Sequence, residues 1–248
     1  MRNILIIVTA IFLVSITNFC NSKNNANGIS GKLKPISKTK INVPEPSGLY
    51  FEESTNSLWT VSDESSKVYN IDFSGNIINS FAINGFDLEG ITFINDTTIA
   101  IILERTREVV FLNSSGKEIS RFSLSLYGKP NSGFEGIEFN PNNNHLYIVN
   151  EKVPCLLIET DLKGNIIFQI KIEFAEDLSG LCYDKAQNEL WIISDESKAI
   201  YKCKTDGTLI QKFAVEIKQI EGIAINFKES KLYIISDPEE KLYIFNLP

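Results

Sequence analysis

Acidic residues recur in this chain at a spacing that would gather them around one point. Apolar runs end in an acid at Asp63, Glu104, Glu151, Asp195 and Asp237, as in Leu58-Trp59-Thr60-Val61-Ser62-Asp63 and Leu190-Trp191-Ile192-Ile193-Ser194-Asp195. Each acid stands 14 or 15 residues after a glycine, and those glycines (Gly48, Gly90, Gly136, Gly180, Gly222) follow one another at 42, 46, 44 and 42 residues. Glu89, Glu135 and Glu221 come immediately before three of them, with Ser47 and Ser179 in the other two places. Asp87 and Asp177 lie nearby in the chain. Converging carboxylates repel, and relief comes from raised pKa values, from counter-charges or from a bound cation. An all-oxygen donor set suits a hard cation, calcium before magnesium. The competing reading is that the strand-end acids make Asx-type turns and that each Glu before Gly bonds neighbouring backbone N–H groups. Arg105, Arg107, Lys152, Lys198 and Lys241 sit close to the acids. They would screen the ring, contact an anionic substrate such as a phosphate ester, or form simple surface ion pairs.

The elements that position these groups follow from the repeat itself. After each acid comes a second apolar run such as Lys67 to Asp72, then in four copies a turn with Gly75, Gly116, Gly164 or Gly207, then a further run such as Asn165 to Ile172. Runs rich in β-branched and aromatic residues, bounded by Gly, Asn, Asp and Ser, read as strands and hairpins. Four strands per unit at this period describe a blade of a β-propeller. Five landmarks predict five antiparallel four-stranded blades, with six as the alternative. The last unit ends at Pro248 without its fourth strand, and residues 32–41 stand where that strand is needed, so the N-terminal strand is expected to close the ring. In such a blade the loop entering strand one and the loop leaving strand two share a face. Glu89, Glu135, Glu221, Asp63, Glu104, Glu151, Asp195 and Asp237 should therefore surround one mouth of the central channel.

These same stretches carry a family resemblance. Asp87-Leu88-Glu89-Gly90-Ile91, Gly133-Phe134-Glu135-Gly136-Ile137 and Asp177-Leu178-Ser179-Gly180-Leu181, with Ile193-Ser194-Asp195-Glu196-Ser197, resemble the SdiA-regulated family of bacterial envelope propellers. The resemblance runs from about residue 32 to the end and implies a propeller fold and an exported protein.

Composition narrows the function classes. The chain has 248 residues, 43% of them hydrophobic, and a net charge of −7, which argues against a nucleic-acid partner. One histidine, His145, leaves little room for Ser-His-Asp, Cys-His or multi-histidine metal chemistry. It is expected in a solvated turn on the face opposite the acids. Cys155, Cys182 and Cys203 read as small buried hydrophobes, and Trp59 and Trp191 as packing between blades. At the start, Arg2 and the apolar run Ile4 to Ile16 lead to Cys20 and then to a polar stretch. That pattern is expected to be a lipoprotein-type signal (1–20) with Cys20 acylated, a tether (21–31) and one propeller domain (32–248) in the bacterial cell envelope; a periplasmic or secreted protein is the alternative. The functional expectation is a binding or scaffold module, membrane-attached by its lipid, whose acidic mouth holds a divalent cation or a cationic partner. A calcium-dependent phosphoesterase or lactonase is the second possibility. No catalytic residue and no organic cofactor is assigned.

Overall fold

The computed structural model describes residues 30–126 and 132–248, and among these every regular element is a β-strand. Two short strands, β1 (Gly31–Lys32) and β2 (Ser37–Lys40), come first. Blade one is β3 (Pro46–Glu52), β4 (Ser57–Ser62), β5 (Lys67–Ile71) and β6 (Ile77–Ala82). Blade two is β7 (Leu88–Asn95), β8 (Thr98–Leu103), β9 (Glu108–Asn113) and β10 (Glu118–Ser123). Blade three is β11 (Phe134–Asn140), β12 (His145–Asn150), β13 (Leu156–Asp161) and β14 (Ile166–Lys171). Blade four is β15 (Gly180–Asp184), β16 (Glu189–Ser194), β17 (Ala199–Lys204) and β18 (Leu209–Ala214). Blade five is β19 (Ile220–Asn226), β20 (Lys231–Ser236) and β21 (Lys241–Asn246), completed by β2. The protein is thus a five-bladed β-propeller, and the six-bladed alternative is not realised.

The core lies between blades. Ala100, Ile102 and Val109 of blade two interlock with Phe134, Leu146 and Ile148 of blade three, and Leu58 and Ile71 of blade one with Tyr233, Ile235 and Leu242 of blade five. Strands covered on both faces therefore read as continuous apolar runs, whereas the outermost β6 and β14 are largely exposed. Each fully buried Leu, Ile or Val contributes about 1.5–3 kcal/mol.

At the axis the five landmark glycines meet. A Cβ on Gly136 would lie 2.8 Å from the Cα of Gly180, and one on Gly222 would lie 2.7 Å from the carbonyl carbon of Gly48. Innermost strands approach backbone to backbone here, which only glycine permits.

Ring closure differs from expectation in one respect. Only Ser37–Lys40 pairs with β21, in register Thr39↔Leu242, while Gly31–Lys32 pairs in parallel with β18 and adds a fifth strand to blade four. Pro35, with no N–H to give to a ladder, separates the two pieces. An ion pair between Lys32 and Glu216 secures the first piece. The proposed signal segment with Cys20, and the tether up to residue 29, lie outside the described residues.

Three further expectations meet the structure. Cys155, Cys182 and Cys203 are free and buried. Trp59 packs on Phe93 of the next blade at 5.3 Å, and Trp191, stacked on Phe213 of its own blade at 6.0 Å, lies in the core shared with blade five. His145 is not a solvated turn residue: it opens β12, and its Nδ1 lies 2.7 Å from Glu159 Oε1 across the ladder.

Candidate functional site

Two backbone features aim the acids. First, β-bulges interrupt the β3–β4, β7–β8, β11–β12 and β19–β20 ladders at the landmark. Glu135 and Glu221 stand in the extra position, where a bulge redirects a side chain out of the strand's alternation. Second, the loop entering strand one is tied to the acid that ends strand two. The N–H of Asp63 donates to Glu45 O at 3.4 Å, that of Glu104 to Asp87 O at 2.9 Å, that of Glu151 to Gly133 O at 2.8 Å and that of Asp237 to Gln219 O at 3.3 Å. The acids' own carbonyls accept from three residues on, closing turns: Arg107 N donates to Glu104 O at 3.0 Å and Lys198 N to Asp195 O at 3.0 Å. Where a side chain caps such a turn it is the preceding serine, as Ser65 N to Ser62 Oγ and Ser197 N to Ser194 Oγ, each 3.1 Å. The carboxylates of Asp63 and Asp195 are therefore not consumed by Asx-type turns.

Seven of the eight expected acids (Asp63, Glu89, Glu135, Glu151, Asp195, Glu221 and Asp237) line a single cavity of about 340 Å³ at one mouth of the channel. The eighth, Glu104, touches the ring from behind: one carboxylate oxygen each from Glu104, Glu135 and Glu151 all lie within 4.8 Å of one another. Asp177 joins the lining, with its Oδ1 accepting from Ser194 Oγ and from Glu196 N at 3.0 Å. Asp87 sits to the side, paired with Arg105 at 2.6 Å. Sequence reasoning missed Glu45 and Glu196, which also line the cavity. The signal for Glu196 was its place next to Asp195 in a turn that faces the mouth.

Basic residues offset the acids unevenly. Lys152 Nζ lies 2.7 Å from Glu151 and 2.9 Å from Glu196, and Lys198 Nζ lies 2.6 Å from Asp195. Lys241 pairs with Glu239 instead of the ring, and Arg107, itself buried, donates to Ser132 O. Glu135 is 9% exposed, and among the described residues no donor reaches its carboxylate. Burial, then the charges of Glu89, Glu221, Glu104 and Glu151, push its carboxyl well above the usual range. Burial likewise drives Glu221 up to about 9, with Glu89 and Asp195 adding to it, and Glu89 up to about 8 against the lowering effect of Ser47. Glu104, Glu151, Asp237 and Glu45 are raised as well, burial leading in each. This is what a carboxylate ring does when too little positive charge is supplied. A calcium ion with bonds of about 2.3–2.6 Å can touch oxygens up to roughly 5 Å apart, so the Glu104–Glu135–Glu151 trio fits one cation.

Comparison with known proteins agrees with the architecture. The SdiA-regulated family model matches residues 30–246, and the chain belongs to that family. Glutaminyl cyclase from Myxococcus xanthus has a similar structure, with a TM-score of 0.67 at 9% identity over 88% of this chain and 97% of that one. Virginiamycin B lyase from Staphylococcus aureus superposes with a TM-score of 0.52 at 17% identity, over 82% of this chain and 66% of the lyase. At these identities the likeness is one of fold.

Proposed function

We propose that this SdiA-regulated propeller is an envelope-anchored binding module whose acidic mouth holds a calcium ion, or the cationic group of a partner, at Glu104, Glu135 and Glu151. The observation that carries the reading is the Glu135 carboxyl, buried among other acids and, among the described residues, reached by no donor. A carboxyl so placed either keeps its proton or takes a cation, and a divalent ion supplies the missing charge while drawing the neighbouring oxygens together. The rest of the ring (Asp63, Glu89, Asp195, Glu221 and Asp237) supplies field and water-mediated ligands. The anchor belongs to the same reading: Cys20 carries the lipid, the polar stretch after it is the tether, and nucleic acid is no partner of so acidic a surface. Cys20→Ser should abolish fatty-acid labelling; undiminished labelling would sink the anchor.

Calorimetric titration of the chelator-treated full chain with calcium tests the site. Binding should release heat and raise the melting temperature; occupancy at 100 times Kd corresponds to about 2.7 kcal/mol. A melting temperature indifferent to millimolar calcium, with no heat, would overturn it. A second reading, metal-assisted hydrolysis of a phosphate ester or lactone, draws on Lys152, whose ammonium stands at the cavity edge beside Glu151. There a cation would polarise the ester oxygen and lower the pKa of a bound water, while Lys152 met the anionic group. Turnover of p-nitrophenyl phosphate or a simple lactone that requires calcium and falls in Lys152→Met would favour the enzyme.

A further inference from the structure

The opposite end of the channel has a different chemistry. Counting two residues on from each landmark glycine gives one tier of five equivalent positions: Tyr50, Thr92, Glu138, Cys182 and Ala224. Four line a cavity of about 570 Å³ walled by the far ends of all five innermost strands, with Phe93, Phe139 and Phe227 among its walls. That volume lies within the ordinary range for small-molecule sites. Glu138 is the only acid in the tier and is 8% exposed. Its Oε1 accepts from Thr92 Oγ1 at 2.7 Å and from Phe139 N at 3.0 Å. Among the described residues no Lys, Arg or His forms an ion pair with it. Tyr50 stacks on Phe93 with centroids 4.9 Å apart. Glu52, Glu53 and Asp96 at the edge outnumber Lys185 and Lys228.

We infer that this second cavity is a binding site for a small organic cation, an ammonium group carried on an apolar body. Aromatic walls attract a cation through their ring faces and bury its hydrocarbon, and a carboxylate at the floor supplies the one charge that fixes its orientation. The hydrogen bonds from Thr92 and Phe139 hold Glu138 in place but bring no positive charge. Burial pushes that carboxyl up to about 7, against the lowering effect of the hydrogen bonds from Thr92, Phe139 and the backbone of Tyr183. A bound ammonium supplies the missing counter-charge beside this buried side chain. A metal ion is the poorer occupant, because Glu138 has no second acid beside it in the tier and aromatic rings make up much of the wall.

The probe is benzyltrimethylammonium, whose charge is independent of pH, set against benzyl alcohol, a smaller neutral molecule with the same ring. Both are titrated into the full chain by calorimetry at pH 8. The ammonium should bind at least tenfold more tightly than the alcohol, and Glu138→Gln should cut its affinity at least tenfold while leaving the alcohol unchanged. Lys185→Glu with Lys228→Glu, both exposed and harmless to folding, should tighten the ammonium severalfold and leave the alcohol alone. Equal affinity for the two probes in the wild type, or no binding of either, overturns the inference without reference to any variant. An unchanged ammonium affinity in a folded Glu138→Gln protein would overturn it too.

Discussion

At the scale of single residues, the acidic mouth is a set of carboxyls that burial, reinforced by their neighbours' charge, raises above the usual range. Glu135→Gln keeps the shape of the side chain and removes one ionisable carboxyl from a buried cluster. The metal-free variant should melt higher by about 2–4 °C for each kcal/mol of relieved repulsion, while its calcium affinity falls at least tenfold; differential scanning calorimetry with and without calcium reads both. The pH dependence has a definite sign. Glu221 and Glu89 keep their protons up to about 9 and about 8 when folded, against 4.5 ordinarily. Between those limits the native chain binds more protons than the unfolded one, so these groups favour folding at pH 4.5 and below and that contribution is lost as pH rises toward 9. The metal-free melting temperature should fall from pH 6 to pH 9, calcium should restore it most at pH 9, and Glu221→Gln should flatten the slope. A flat wild-type profile would contradict the burial of these groups.

At the scale of elements, the glycine tier sets how closely the blades can approach. Gly136→Ala places a methyl against the Gly180 backbone and should cost about 1–3 kcal/mol in urea unfolding, whereas Gly31→Ala, whose added Cβ would meet nothing nearer than 3.9 Å, should be neutral. Blade boundaries, strand number and the ring of acids were legible because each is repeated five times, and repetition separates a structural requirement from chance. Glu138 was not legible: its four counterparts are Tyr, Thr, Cys and Ala, so no period singles it out. The pairing of Gly31–Lys32 with Phe213–Ala214 was equally hidden, since two residues carry no alternation and the partner is distant in sequence. His145 escaped because its partner, Glu159, faces it only across the β12–β13 ladder, where His145 opposes Asp161.

At the scale of the whole molecule, the ring is closed by a few residues from the far end of the chain. Deleting 32–42 strips β2 from β21 and removes Ile41, which is fully buried against blade one. That should cost several kcal/mol of the roughly 5–15 available to a domain, while deleting 21–30 should leave the melting temperature nearly unchanged. Equal melting temperatures for the two deletions would refute the closure. The split attachment of this segment also governs how the propeller answers traction. A pull on the chain ahead of Ser30 reaches the short β1–β18 pair first, then the Lys34–Pro35 link, and only afterwards β2. Peeling residues 31–36 pays out about 2 nm of chain at roughly 3.3–3.6 Å per residue before β2 is loaded. The two-residue strand therefore acts as a mechanical fuse, yielding under small forces and sparing the seam on which the ring depends.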